Sequence, residues 1–203
     1  IQPVREYPNG KTASHVIGYV GEITEEQLKS LKSQGYKIGD YIGKDGIEKQ
    51  YDRYLKGKHG ERKVIVDAAG RIIRTIVETK PAPGNNVNLT IDVDLQSDVE
   101  KILKWYVKSL STVSREPLAA SAIIENTKTG EILAIASIPQ FDPNKFSKGI
   151  SAKEYKKLVE RKDYPLLNRA VAGGYPLAST FKMITAAAAL EENIITRYSP
   201  FYC

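Results

Sequence analysis

Several residue types are almost missing from this 203-residue chain, and each scarcity closes off a class of function. There is one cysteine, Cys203, and it is the last residue, so no disulfide can form within the chain and the redox compartment stays undecided. The two histidines, His15 and His59, have no cysteine or second histidine at ligand spacing, which argues against a zinc site. The only methionine is Met183, so the chain does not begin at a natural start, and both ends read as cut from a longer protein. No run approaches the roughly 18–20 apolar residues of a membrane span, and no signal peptide heads the chain. Gly18, Gly21, Gly43 and Gly46 have turn explanations and do not form a phosphate loop. Internal repeats and low-complexity stretches are absent too.

What is present is the composition of a folded globular protein, with 41% hydrophobic and 27% charged residues. The length permits one or two domains with a real core. The net charge is +6, but lysine and arginine are dispersed among aspartate and glutamate. No basic stripe with interleaved aromatics stands out, so nucleic acid is not an expected partner. Attraction to an anionic surface or polymer is the milder consequence.

Along the chain, residues 1–80 read as a first, mixed unit. Val16–Val20 has the pattern of a short strand. Thr24-Glu25-Glu26-Gln27 is a capping box, opening a helix that turns Leu28 and Leu31 inward and ends at Gly35. A second helix follows Gly43-Lys44-Asp45-Gly46, with Ile47, Tyr51 and Leu55 on one side. Lys63–Asp67 and Arg71–Val77 flank Ala68-Ala69-Gly70 as a hairpin. Residues 81–86, with two prolines, a glycine and two asparagines, read as a linker. Residues 87–203 form the second unit. There Val87, Leu89 and Ile91 alternate as a strand. Asp94 can cap a long helix with Leu95, Val99, Ile102, Tyr106 and Leu110 inward and Lys101, Lys104 and Lys108 solvated. Leu118–Ile124 and Glu131–Ile138 form a hairpin, expected to be central to a sheet. Asp142-Pro143-Asn144 reads as a turn, and Ser151-Ala152-Lys153-Glu154 as another capping box. The order of elements predicts an α+β fold with helices packed on an antiparallel sheet.

One stretch carries chemistry. From Tyr175 to Ile184 the sequence is Tyr-Pro-Leu-Ala-Ser-Thr-Phe-Lys-Met-Ile, followed by Thr185 and four alanines. The stretch is a good helix former, with Pro176 just ahead of the first turn. Ser179 and Lys182 are then i and i+3 on one face, roughly 5–6 Å apart at Cβ. A serine hydroxyl becomes a nucleophile when a base takes its proton, and an amine can serve if its surroundings keep it neutral. The apolar helix is expected to supply that desolvation, and the helix N-terminus favours negative charge on Ser179. The plain alternative is that Ser179 is a cap and Lys182 a solvated lysine.

Ser-x-x-Lys is the first element of a signature shared by penicillin-binding proteins and class A β-lactamases. The flanks extend the match. Asn168-Arg169-Ala170, Tyr175-Pro176 and Ser179-Thr180-Phe181-Lys182 resemble a class B penicillin-binding protein. So do the stretch from Leu89 to Gln96, the stretch from Thr129 to Ser137, and Phe141-Asp142-Pro143-Asn144. Arg5–Gly10, His15–Gly21 and Gly43–Asp52 are similar to that family's non-catalytic pedestal. The last of these favours the elongation type, penicillin-binding protein 2, over the septal type. Nearly the whole chain is covered: residues 1–80 as a pedestal (dimerisation-type) fragment and 87–203 as the N-terminal part of a serine transpeptidase, β-lactamase-like domain.

The resemblance implies a peptidoglycan D,D-transpeptidase of cell-wall elongation, in which Ser179 attacks the penultimate D-alanine carbonyl of a stem peptide and Lys182 takes its proton. It implies β-lactams as inhibitors, and a SEDS glycosyltransferase and elongation scaffold proteins as partners. It also implies an N-terminal anchor in the bacterial cytoplasmic membrane with the catalytic part periplasmic or otherwise extracytoplasmic. No cofactor or metal is implied. Three departures qualify the match. Family members usually carry Pro-Gly before the serine, where this chain has Leu177-Ala178; Ala-Ser-Thr-Phe-Lys is closer to class D β-lactamases and β-lactam sensors, the second reading. Lys128-Thr129-Gly130 precedes the serine and sits in a hairpin turn, unlike the family's downstream Lys-Thr-Gly. No Ser-x-Asn follows Lys182, so the fragment alone is expected to be inactive. A non-enzymatic interaction module is the third reading.

Overall fold

The computed structural model describes residues 4–114 and 118–201, so Cys203 lies outside the described residues. In chain order the first part runs α1 (Ser14–Ile17), β1 (Val20–Glu22), α2 (Glu25–Leu31), β2 (Tyr41–Gly43), α3 (Gly46–Gln50), α4 (Asp52–Leu55), β3 (Glu61–Val66) and β4 (Ile72–Thr79). The rest runs α5 (Val93–Ser111), β5 (Ala120–Glu125), β6 (Ile132–Ile138), α6 (Pro143–Ser147), α7 (Ala152–Val159), α8 (Arg169–Ala172) and α9 (Lys182–Glu191). The class is mixed α+β with small sheets. Among the described residues β1 pairs with β2, β3 with β4 and β5 with β6, all antiparallel. The chain divides into two compact units, one up to Ala172 and one from Gly173 onward.

Local rules set several elements as the sequence predicts. The Thr24–Gln27 capping box is complete, and Gly35 closes the following 3-10 turn in the left-handed region at φ 81°. Leu28 and Leu31 pack against a small core of Ile23, Tyr36 and Ile42. Ser151 caps α7 by accepting from the Glu154 amide, while the Glu154 carboxylate accepts from the Ser151 hydroxyl at 2.8 Å. Both hairpins form. The β3–β4 hairpin exposes Ile65, Val66, Ile72, Ile73, Ile76 and Val77, and its ladder carries two register shifts.

Elsewhere tertiary contacts override the pattern. Val16 and Ile17 belong to the single helical turn α1, and the strand starts only at Val20. The reason lies at Gly18, which turns the chain at φ 77° against Asp45. A Cβ there would come within 1.9 Å of the Asp45 carbonyl oxygen. The expected helix after Gly46 breaks at Tyr51 into α3 and α4. That break sets Asp52 to accept from the Gly43 amide at 2.8 Å and from the Tyr36 hydroxyl. Glu48 is the buried residue of α3, its carboxylate 2.8 Å from the Arg5 guanidinium.

Residues 87–91 form no strand; Thr90 and Asp92 instead bond singly to the carbonyls of Ile132 and Leu133. Asp92, two residues earlier than expected, caps α5 by accepting from the Asp94 and Leu95 amides. The inward face of α5 is also rotated. Gln96 and Glu100 are buried, whereas Ile102, Tyr106 and Leu110 are exposed. Polar residues win the interior because their partners are there. The Gln96 side chain donates to the Ile135 carbonyl at 3.0 Å and accepts from its amide at 2.8 Å, as a neighbouring strand would. The β5–β6 hairpin, expected at the centre of a sheet, has α5 alongside it and no third strand among the described residues.

The N-terminal segment from Tyr7 to Ile17 is held to the later part of this unit by side chains that reach its backbone. Asn144 grips Tyr7 twice, accepting from its amide at 3.0 Å and donating to its carbonyl at 2.9 Å. Gln140 donates to the Lys11 carbonyl, Glu100 accepts from the Ala13 amide at 2.8 Å, and Asn168 donates to the His15 carbonyl at 3.3 Å. Beneath it lies an aromatic cluster of His15, Tyr19, Phe141 and Phe146. The Tyr7 hydroxyl accepts from the Val20 amide, and burial, with the Glu48 carboxylate second, raises its pKa well above the ordinary tyrosine value.

Two consequences can be measured. Asn144→Ala strips the Tyr7 amide of its partner and leaves the Tyr7 carbonyl only the Gly10 amide, and should cost about 2 kcal/mol, whereas Thr24→Ala, losing one exposed cap, should cost about 1 kcal/mol. Urea unfolding of the two variants checks the order; equal or reversed costs would remove Asn144 as an anchor. Gly18→Ala should cost at least about 3 kcal/mol because the new methyl meets backbone. Gly70→Ala, equally left-handed at φ 80° but with nothing within 4 Å, should cost only about 1 kcal/mol.

Candidate active site

The Ser179 stretch lies in the second unit. Beyond Gly173 and Gly174 the chain reaches a 3-10 turn, Ala178–Phe181, that runs directly into α9. Ala178 is left-handed at φ 46°, a conformation easy for glycine and costly for alanine. It is the position where the related family usually carries glycine. The bend at Ala178 is one that glycine would adopt without strain. Ser179 falls in the 3-10 turn and Lys182 is the first residue of α9, with the Lys182 amide bonded to the Ser179 carbonyl. In a 3-10 turn residues i and i+3 eclipse, so the two side chains leave the same side of the chain.

The hydroxyls of this stretch are used differently. Thr180 donates to the Leu177 carbonyl at 2.5 Å and Thr185 to the Phe181 carbonyl at 3.3 Å. Neither the turn nor α9 has a side-chain cap. Ser179 is thus not a cap, and its hydroxyl makes no hydrogen bond with a described residue. Lys182 likewise has no ion-pair partner among the described residues. An uncommitted hydroxyl and an uncommitted amine, one turn apart at the positive end of a helix, can serve as nucleophile and base.

The expected desolvation is not supplied within this unit. Lys182 is exposed, and no described residue from Gly173 onward is buried. Phe181, Met183, Ile184 and Leu190 face outward, 49%, 73%, 56% and 45% exposed. A lone helix has no second layer to bury its apolar face against. Lys128-Thr129-Gly130 is a turn in the first unit: Asn126 accepts the Lys128, Thr129 and Gly130 amides, and Gly130 is left-handed at φ 75°.

The first unit also holds an open cleft of about 1150 Å³ faced by Arg5, Asp40, Glu48, Asp52, Lys56 and His59. Its charges are largely paired with one another, Arg5 with Glu48 and His59 with Asp40 at 3.0 Å. Among the described residues no cluster of three or more histidines, cysteines, aspartates or glutamates could hold a metal ion, and no helix is long and apolar enough to cross a membrane.

The sequence assigns no structural role to His15, Gln96, Glu100 and Arg169, yet all four are buried; the first three bond backbone 39 to 150 residues away and Arg169 bonds that of the bend just before it. For Gln96 and Glu100 the available signal was a polar residue on an otherwise apolar helix face, which the periodicity rule counts as a mismatch.

Comparison with known proteins agrees with the motif reading. Residues 1–89 match the penicillin-binding protein dimerisation domain and residues 120–203 the penicillin-binding protein transpeptidase domain. The chain is 41% identical over 202 residues to the peptidoglycan D,D-transpeptidase MrdA of Salmonella typhimurium, covering 98% of this chain and 30% of that protein. It is 38% identical over 203 residues to the Escherichia coli protein of the same name, with the same coverage. Among solved structures, PBP2 of Helicobacter pylori in complex with MreC superposes with a TM-score of 0.76 at 32% identity, covering 97% of this chain and 34% of the other. PBP2 of Pseudomonas aeruginosa in complex with WCK 5153 gives 0.76 at 36% identity, covering 98% and 37%. The chain thus spans about 30% of the length of the relatives it matches. It belongs to the class B penicillin-binding proteins of the PBP2 (MrdA) type, over a stretch that takes in the dimerisation domain and the start of the transpeptidase domain.

Proposed function

We propose that this chain is part of a peptidoglycan D,D-transpeptidase of cell-wall elongation, with Ser179 the nucleophile and Lys182 its base. The observation that carries the reading is the free Ser179 hydroxyl, three residues from a free lysine, inside a stretch matching the transpeptidase domain. Ser179 attacks the carbonyl of the penultimate D-alanine while Lys182 takes the hydroxyl proton. The terminal D-alanine leaves, and an amine on a neighbouring stem peptide resolves the acyl-enzyme. The Ser179 amide is one oxyanion donor, since the first amide bonded back in this turn is that of Thr180, to the Leu177 carbonyl. A neutral Lys182 needs cover over α9 that comes from outside the residues described. β-Lactams acylate the same serine.

The domain plan is a pedestal over residues 1–80, a linker at 81–86 and the beginning of the catalytic domain over 87–203. The whole protein works at the bacterial cytoplasmic membrane, held by an N-terminal anchor, with its catalytic part periplasmic. Its partners are a SEDS glycosyltransferase and elongation scaffold proteins. The solved PBP2–MreC complex of a relative, and a relative's structure within a peptidoglycan synthase complex, support that choice.

Two experiments test the site. In the full-length protein Ser179→Ala and Lys182→Ala should each abolish labelling by a fluorescent penicillin. The double variant should be hardly worse than either, because the pair acts as one unit. Labelling that survives Ser179→Ala would overturn the assignment, and rapid release of the acyl group would favour a class D-like β-lactamase. Lys128→Ala should leave acylation within about threefold, as an exposed turn residue; a drop of orders of magnitude in a folded variant would move that triplet into the site.

A further inference from the structure

The Pro165–Arg169 bend leads through α8 directly to the stretch that carries Ser179, and it is bonded on several sides. Ser137 donates to the Leu167 carbonyl and accepts from the Arg169 amide, each at 3.1 Å. The buried Arg169 guanidinium donates to the carbonyls of Asp163, Tyr164 and Leu167. The remaining ties come from the far end of the chain. His15 Nε2 lies 2.9 Å from the Pro165 carbonyl oxygen, and the Asn168 amide donates to the His15 carbonyl. A carbonyl can only accept, so Nε2 carries the proton and Nδ1 is the bare nitrogen of the neutral ring. Nδ1 has no hydrogen-bond partner among the described residues, and the ring meets Phe141 edge-on at 5.2 Å.

We infer that His15 is a pH-responsive positioning residue: its neutral imidazole ties the N-terminal segment to the Pro165–Arg169 bend, and because a charged ring buried here has no acceptor among the described residues for its new N–H, acid favours the state in which the ring is released to water. The incoming proton would sit on a ring that is 5% exposed, with no acceptor for the new N–H. The charged groups facing the ring are Arg169 from α8, which opposes a second positive charge, and Asp45 and Glu100 from the loop before α3 and from α5, which favour it. The Pro165 carbonyl favours it as well. Burial outweighs these and holds the His15 pKa below the ordinary histidine value. The sign follows from linkage. A histidine whose folded pKa is depressed contributes stability fully above the unfolded pKa of about 6.5 and loses it as the pH falls through the folded pKa. The tie is therefore closed near neutrality and weakens in acid. Its effect on acylation rests on the transpeptidase reading; the tie itself does not.

Hydrogen exchange in the full-length protein separates the two. Corrected for intrinsic rates, the amides of Leu167 to Ala172 should exchange roughly three- to tenfold faster at pH 5.5 than at pH 7.5. His15→Gln, whose side-chain amide can reach the same carbonyl but cannot take up a proton, should flatten that step. His15→Asn, too short to reach that carbonyl but equally unable to take up a proton, should also remove the pH step if the glutamine variant fails to fold. Penicillin acylation should fall in acid in parallel, and less so in the variant. The same exchange step in wild type and variant, or none in either, would overturn the inference. A protein that shows the His15-dependent step but never labels with penicillin would retain the tie and sink the transpeptidase assignment.

Discussion

The first compact unit depends on one constraint, that the backbone of the segment from Tyr7 to Ile17 must find hydrogen-bond partners away from water. This segment forms only one helical turn of its own and joins no sheet. Its own turns bond some of its amides and carbonyls, and others are met by Asn144, Gln140, Glu100 and Asn168, which lie 87 to 153 residues away in sequence. Side chains here do what a neighbouring strand does elsewhere. Each such bond contributes only about 0.5–1.5 kcal/mol net. Losing the tie to the Tyr7 or Ala13 amide leaves that donor without its partner, so the set specifies a docking geometry that apolar contact alone would not.

The same device sets the position of α5. Gln96 bonds both the amide and the carbonyl of Ile135 and passes an amide hydrogen to Glu100, which in turn receives Ala13. A relay of two side chains thus joins β6, α5 and the N-terminal segment. The aromatic cluster of Tyr19, Phe141 and Phe146 fills the space below without deciding the register.

How far this was legible in the sequence follows from which forces are local. The Thr24 and Ser151 caps, the two hairpins and the Gly35 terminator rest on residues within a few positions of one another, and they formed as the sequence predicts. The Val16–Val20 strand, the unbroken helix after Gly46, the strand at 87–91 and the outward-turned Ile102, Tyr106 and Leu110 were misread for a common reason. In each, a distant polar partner or a close backbone approach decided the conformation, and hydrophobic periodicity carries no record of either. At the site, the spacing of Ser179 and Lys182 and the turn holding them were legible because they are local. The freedom of the Ser179 hydroxyl and the exposure of Lys182 were not, since both depend on what else is near.

The β3–β4 hairpin exposes six β-branched aliphatic side chains, a composition that in an unprotected edge strand invites sheet growth between molecules. Here one edge presents Arg62 and Lys63 in succession, and the register slips at Lys63/Val64 and again at Ile65/Val66, leaving extra residues on β4. Adjacent like charges and bulges are the means by which sheet edges refuse a further strand. The hairpin can therefore leave six apolar side chains in the open while its charged, bulged edges discourage the addition of a further strand.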